Sequence, residues 1–98
     1  MSRSLRFHPE AEAELNDAAD YYAPWSPGLD QRFIAEMELA LAQIVAFPEA
    51  SSPVNARTRR KILLGYHYSL LYSVTECEIR VLAVAHHARR PFYWHGRE

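Results

Sequence analysis

The stretch Ile79-Arg80-Val81-Leu82-Ala83-Val84-Ala85-His86-His87-Ala88-Arg89-Arg90-Pro91-Phe92-Tyr93-Trp94 carries an almost wholly apolar run straight into imidazoles, guanidiniums and three aromatic rings. From Val81 to Ala85 there is no polar alternation, which marks a central strand covered on at least one face. Upstream, Leu70, Leu71, Tyr72 and Val74 follow the same pattern. Three β-type runs are therefore predicted over 58–64, 68–74 and 78–86, with Gly65 and Thr75-Glu76-Cys77 as turns short enough for antiparallel hairpins. A strand held in a core places its last residues rigidly. The cluster from His86 onward is thus expected to be a positioned surface suited to an anionic or nucleic-acid partner.

Working outward, Ser4-Leu5-Arg6-Phe7 alternates as a short half-buried strand. Pro9 suits the first turn of a helix, with Glu10, Glu12 and Glu14 near the positive end of its dipole. Ala11, Leu15, Ala18, Ala19 and Tyr22 fall on one helical face. Pro24-Trp25-Ser26-Pro27-Gly28 breaks that helix. A second begins near Leu29 or Asp30, turns Phe33, Met37, Ala40, Leu41, Ile44 and Phe47 inward, and stops at Pro48. Residues 48–56 are loop-like. The order β-α-α-β-β-β predicts an α+β domain in which an N-terminal helical hairpin packs on one face of a twisted, mainly antiparallel sheet.

Ninety-eight residues suffice for one core, and 49% apolar with 23% charged residues is ordinary for a soluble chain. No apolar run approaches the roughly 20 residues of a membrane span, and no signal-type segment follows Met1, so the chain reads as cytosolic. The single cysteine, Cys77, excludes an internal disulfide. Its neighbours Glu76 and Glu78 would raise a thiol pKa and argue against a nucleophile. The net charge of −1 conceals a polarity. Residues 1–50 hold three Arg against nine acids, whereas residues 51–98 hold eight Lys and Arg against three. Such asymmetry fits either two solvated faces or a basic working surface opposite an acidic one.

Two groups could form that surface. In Arg57-Thr58-Arg59-Arg60-Lys61, strand alternation sends Arg57, Arg59 and Lys61 one way and Arg60 the other. Such a strip could bind phosphate, or guard an edge strand against aggregation. The second group is His86, His87, Arg89 and Arg90, which a strand end should bring nearby. Imidazole near its pKa and arginine beside a developing negative charge are the residue types that cleave RNA without a metal. Phe92, Tyr93 and Trp94 could stack on unpaired bases. For Phe92 and Trp94, packing of the C-terminal segment on the sheet is the favoured role. The histidines lack acidic companions at ligand spacing, and no phosphate loop, zinc-protease helix or serine elbow is present, so neither metal nor cofactor is expected.

Several of these residues are familiar in order. Phe7-His8-Pro9-Glu10-Ala11 with Glu14-Leu15, Tyr21-Tyr22, Pro27-Gly28-Leu29, Phe33 and Ala40-Leu41 with Ile44 resemble the N-terminal half of the RelE/ParE toxin superfamily. Phe47-Pro48, Arg59-Arg60, Tyr68-Ser69-Leu70-Leu71-Tyr72 and Val81 to His86 followed by Arg89-Arg90-Pro91 resemble its C-terminal half. The likeness implies one toxin domain over 1–98, from a type II toxin–antitoxin pair. Pro27-Gly28-Leu29 and the His86, Arg89, Arg90, Pro91 ending are similar to ParE-type and plasmid-stabilisation toxins. That branch implies poisoning of DNA gyrase without catalysis of its own, in a hetero-oligomer with a cognate ParD-like antitoxin. The antitoxin would lay a helix or extended tail over the hairpin and sheet edge. Arg59, Arg60, His86, Arg89 and Arg90 are then the expected target-binding residues. The alternative is a RelE-like ribosome-dependent nuclease of messenger RNA, with His87 and Tyr93 as its catalytic residues. Lys61 is the only lysine here, whereas the nuclease branch usually carries several basic residues in its central strands.

Overall fold

The computed structural model describes residues 3–97. Along the chain lie β1 (Ser4–Phe7), α1 (Pro9–Tyr22), α2 (Leu29–Ala46), β2 (Ser52–Pro53), β3 (Thr58–Ile62), β4 (Tyr68–Val74) and β5 (Glu78–His86). They form one five-stranded sheet in the order β1-β5-β4-β3-β2. β1 runs parallel to β5 and every other pairing is antiparallel. None of the helices is long and apolar enough to cross a membrane, among the described residues.

Local chemistry sets the helix boundaries. His8 caps α1, its Nδ1 accepting the Glu10 N–H at 3.1 Å, and Pro9 takes the first helical position, where a missing N–H costs nothing. Gly28 precedes α2 with φ at +80°, a conformation glycine adopts without the Cβ penalty. Phe47 leaves helical geometry (φ −138°, ψ 71°), and Pro48 then prevents the helix from resuming. This departure corrects one expectation. Phe47 leaves the inward stripe with the helix and is 70% exposed rather than core.

Both helices cover one face of the sheet. There Tyr22, Phe33, Met37, Ala40 and Ile44 meet Leu63, Leu70, Tyr72, Ile79, Val81 and Val84. Ala11 and Ala18 are fully buried, and their small side chains let α1 come close to β5. Each fully buried Phe, Met or Ile contributes about 1.5–3 kcal/mol of hydrophobic stabilisation. Two tyrosine hydroxyls in this core are paired. The Tyr72 hydroxyl donates to the Pro48 carbonyl at 2.7 Å, and the Tyr22 oxygen accepts the His67 N–H at 3.0 Å.

The opposite, outer face carries a second cluster of Leu71, Leu82, Ala83 and Trp94. It arises from a bulge. Leu71 pairs with Ala83 and Tyr72 with Val81, so Leu82 has no partner across β4. The extra residue turns Leu82 and Ala83 outward while Val81 and Val84 remain in the helix-side core. The apolar run in β5 is therefore explained by two faces, each with its own cover. Residues 48–56 also differ from the loop expected, because Ser52 and Pro53 pair with Arg60 and Arg59. β3 ends at Ile62 rather than at residue 64.

Candidate functional site

The outer cluster needs a lid, and the chain after β5 provides it. The His87 N–H donates to the His67 carbonyl at 2.8 Å, extending the pairing one residue past the strand. A tight turn follows, in which His86 accepts the Arg89 N–H on its carbonyl and the Ala88 N–H on Nδ1, both at 3.0 Å. Residues 88–97 then run back as successive turns, closed by Tyr93 N–H to Arg90, His95 N–H to Phe92 and Arg97 N–H to Trp94. Trp94 is buried among Leu71, Leu82 and Ala83, as a packing aromatic should be. Phe92 is not. It stays 48% exposed, with φ at +59°, where a bulky residue is an outlier.

One carboxylate holds this segment in place. β1 stops at Phe7 opposite Val81, so β5 continues with backbone groups that have no strand beside them. Glu14 of α1 reaches that edge, and its Oε1 accepts the Val84 N–H at 3.1 Å. It also accepts Nη1 of Arg97 at 2.9 Å, while Oε2 accepts the Tyr93 hydroxyl at 2.8 Å and Nη2 of Arg97 at 3.2 Å. Arg97 in turn donates to the Leu82 carbonyl at 3.1 Å and pairs with Glu10 at 3.2 Å. Both partners are largely shielded, with 14% of the Glu14 side chain and 11% of the Arg97 side chain exposed. Bidentate, charge-assisted bonds of this kind are the strong ones. An ion pair thus does at the end of β5 what another strand would do.

The titrating groups follow from these neighbours. Burial pushes the Tyr93 phenol well above its ordinary range; its hydrogen bond to Glu14 and that carboxylate's charge add to the shift, against Arg89 and Arg97. Burial works against the Arg97 charge, but the Glu14 bond and the carboxylates of Glu14 and Glu10 outweigh it and raise its pKa. His86 is lowered by burial and by the neighbouring His67 and His87. Its ring meets Tyr68 at 5.0 Å and Tyr21 at 5.9 Å between centroids. Tyr68 is raised by burial and then by Tyr22, Tyr21 and Asp17.

Between the lid and the sheet lies a cavity of about 190 Å³, bordered by Arg60, His86, His87, Arg89 and Arg90 over a floor that includes Leu71, Ala85 and Trp94. Among the described residues no carboxylate lines it. Ser69 lies 2.9 Å from His87 Nε2 and fixes that ring, and the Arg89 guanidinium stacks 3.9 Å from the Tyr93 ring centre. Most of the residues expected at a site are therefore together. Arg59 is set apart. Its Nη1 donates to the Glu49 and Ser51 carbonyls at 3.0 and 2.7 Å, pinning the segment that carries β2. It borders a separate groove of about 720 Å³ with Arg3, Arg57, Arg80 and the acids Glu49, Glu76 and Glu78.

Comparison with known proteins agrees with this architecture. The family described as the ParE toxin of the type II toxin–antitoxin system parDE matches residues 5–91. The chain belongs to the ParE toxin family. Toxin ParE2 of Mycobacterium tuberculosis, from strains CDC 1551 and H37Rv, is 30% identical over 92 residues, spanning 93% of this chain and 88% of the relative. In the solved chromosomal ParDE TA system from P. aeruginosa, a chain superposes with a TM-score of 0.74. It shares 20% identity and covers 87% of this chain and 96% of that one, a likeness of fold.

The family match ends at Pro91, so Phe92, Tyr93 and Trp94, which border the cavity of this ParE toxin, and Arg97, which fastens the lid to Glu14, lie beyond it. Sequence reasoning passed over Glu14 and Arg97. A signal was present for the first, because position 14 falls between Ala11 and Ala18 on the buried stripe of α1. A carboxylate on a buried stripe must be paired. Nothing local singles out Arg97, whose role depends on how the last turns fold back.

Proposed function

We propose that this toxin acts by binding DNA gyrase through the cationic outer face, in the cytoplasm, and is neutralised by a ParD-like antitoxin in a hetero-oligomer. The family match over residues 5–91 supports the toxin class. The observation that favours binding over cleavage is the state of Tyr93. Its hydroxyl donates to Glu14 at 2.8 Å and its ring is stacked by Arg89. A phenol held this way is not placed to exchange a proton with a substrate, as the messenger-RNA nuclease alternative requires of Tyr93 with His87. Arg60, His86, Arg89 and Arg90 remain as the target-binding set, with Arg59 supporting the β2 segment. The exposed Leu39, Val45 and Phe47 of α2 and its end are apolar surface that an amphipathic antitoxin helix could cover.

The deciding experiment compares two reactions of the purified toxin. Arrest of gyrase supercoiling, relieved by antitoxin and unaccompanied by cleavage of ribosome-bound message, is the expected result. Message cleavage that disappears in Tyr93→Phe would replace this reading with the nuclease. Arg89→Ala combined with Arg90→Ala should abolish gyrase arrest while leaving antitoxin binding intact.

A further inference from the structure

The turn between the two helices leaves large aromatic rings in water. Trp25 is 66% exposed and Tyr21 41%, although burial is what such side chains ordinarily supply. Their ring centres stand 5.9 Å apart at a tilt of 50°, and with Tyr22, Leu29 and His67 they line a notch of about 150 Å³. Tyr22 is buried and its hydroxyl oxygen accepts the His67 N–H at 3.0 Å, so the floor is fixed while the rim is solvated.

Charge narrows what the notch can take. Asp17 lies one helical turn before Tyr21 on the same face of α1, and its carboxylate helps to raise the Tyr68 phenol behind the Tyr21 ring. It is exposed, and among the described residues it makes no ion pair. Nor does any cation of the described chain lie over Tyr21 or Trp25; Arg89 and Arg97 stack on Tyr93 instead. Two open π faces beside an unpaired carboxylate attract positive charge.

Size narrows it further. About 150 Å³ is room for roughly five waters at about 30 Å³ each, enough for the head of one long side chain. An apolar head would cover Trp25 but strip water from Asp17 without replacing its hydrogen bonds. A guanidinium meets both demands, since its plane lies on a ring while its N–H groups reach a carboxylate.

We propose that this aromatic notch anchors an arginine side chain of the antitoxin. Charge favours that partner over the toxin's target. The outer-face set is cationic and calls for an acidic surface, whereas α1 exposes Glu10, Glu12, Asp17 and Asp20 and calls for a basic one. The proposal rests on the antitoxin part of the reading above and is independent of gyrase.

Two measurements on the full chain test it, at about pH 8, above the ordinary imidazole value of about 6.5. In the first, blocked glycine pentapeptides with arginine, lysine, leucine or glutamate at the centre are titrated against the indole N–H signal of Trp25. Arginine should shift it saturably and most tightly, with leucine and glutamate at least about fivefold weaker, while the signal of buried Trp94 stays still. In the second, antitoxin affinity is compared between the wild-type chain and its variants. Trp25→Ala should weaken the complex about tenfold or more, Trp25→Phe by less than about threefold, and Asp17→Asn by about threefold. Because Trp25 is mostly exposed, Trp25→Ala should leave Tm within about 4 °C of the wild type. Leucine binding as tightly as arginine would overturn the proposal. So would an antitoxin complex equally tight with the wild-type chain and Trp25→Ala, which would leave the antitoxin reading standing. No complex with the wild-type chain, while the arginine peptide still shifts Trp25, would overturn the antitoxin reading and leave the notch its preference for arginine.

Discussion

The two faces of the sheet are built on different physics. Among the described residues, fourteen buried ones form one cluster on the helix side, and stability there comes from the amount of apolar surface removed from water. On the outer side only four do, and the cover is a run of turns fastened by Glu14 and Arg97. Hydrophobic burial is non-directional and tolerates a shifted neighbour, whereas a carboxylate serving four donors works in one geometry. The helix-side face therefore supplies the global stability, and the outer face supplies a positioned but separately releasable surface. Loops and lids that bind are drawn from the less stable parts of a fold.

The sharpest way to break that contrast is to damage the larger core first. Phe33 is fully buried and meets Tyr22, Tyr66 and Tyr68 at 5.1–5.6 Å between ring centres. Phe33→Ala should cost about 3–5 kcal/mol. For a chain of this length that lowers Tm by about 15 °C or more, in one cooperative transition. Calorimetry checks both the size and the single transition. A loss below about 1 kcal/mol would mean that the helix-side cluster is not the seat of stability.

Glu14→Gln is next in size and different in kind. The amide can still accept the Val84 N–H, but it no longer offers charge to Arg97 or two acceptor oxygens to Tyr93 and the guanidinium. Hydrogen bonds to charged groups are worth about 1.5–3 kcal/mol each. The cost should fall on the lid alone. Amide exchange at Tyr93, His95 and Arg97 should speed up by about tenfold or more, while amides of β4 and the central part of β5 hardly change. Uniformly faster exchange across the sheet would show that the two faces unfold as one unit.

The same contrast explains what could be read without coordinates. Periodicity reports burial, so α1, β1, β4 and β5 were legible to their ends and α2 to within a residue, as was the separation of Arg60 from Arg59 across β3. Where burial and pattern part company, reading failed. β2 has two residues, one of them Pro53, and shows no period at all. The bulge at Leu82 is hidden because an apolar run covered on both faces looks the same in either register. Phe47 continues a perfect helical stripe, and only the break in backbone before Pro48 turns it out. At the site, chain proximity brought His86, His87, Arg89 and Arg90 together. The carboxylate that fastens the lid beyond them, Glu14, is seventy residues from Val84 and eighty-three from Arg97. Its partners depend on tertiary folding that no local pattern encodes.

The smallest expected effect concerns the hinge between the two regions, His86, where β5 ends and the lid begins. Burial and the nearby His67 and His87 lower its pKa below the ordinary imidazole value of about 6.5. Folding thus favours the neutral ring. Its contribution is fully present above the unfolded value and is lost as pH falls from there through the folded pKa. The structure agrees, since Nδ1 accepts the Ala88 N–H and must carry no proton to do so. Acidification below about pH 6.5 should therefore loosen the turn at Ala88 and Arg89 before it affects the helix-side core. His86→Asn places an oxygen where Nδ1 sits and removes the titration. Tm of the wild-type chain should fall more steeply between about pH 7 and 5 than that of the variant. Parallel curves would mean that protonating His86 does not matter to the turn, and that the lid is joined to the sheet by something other than this ring.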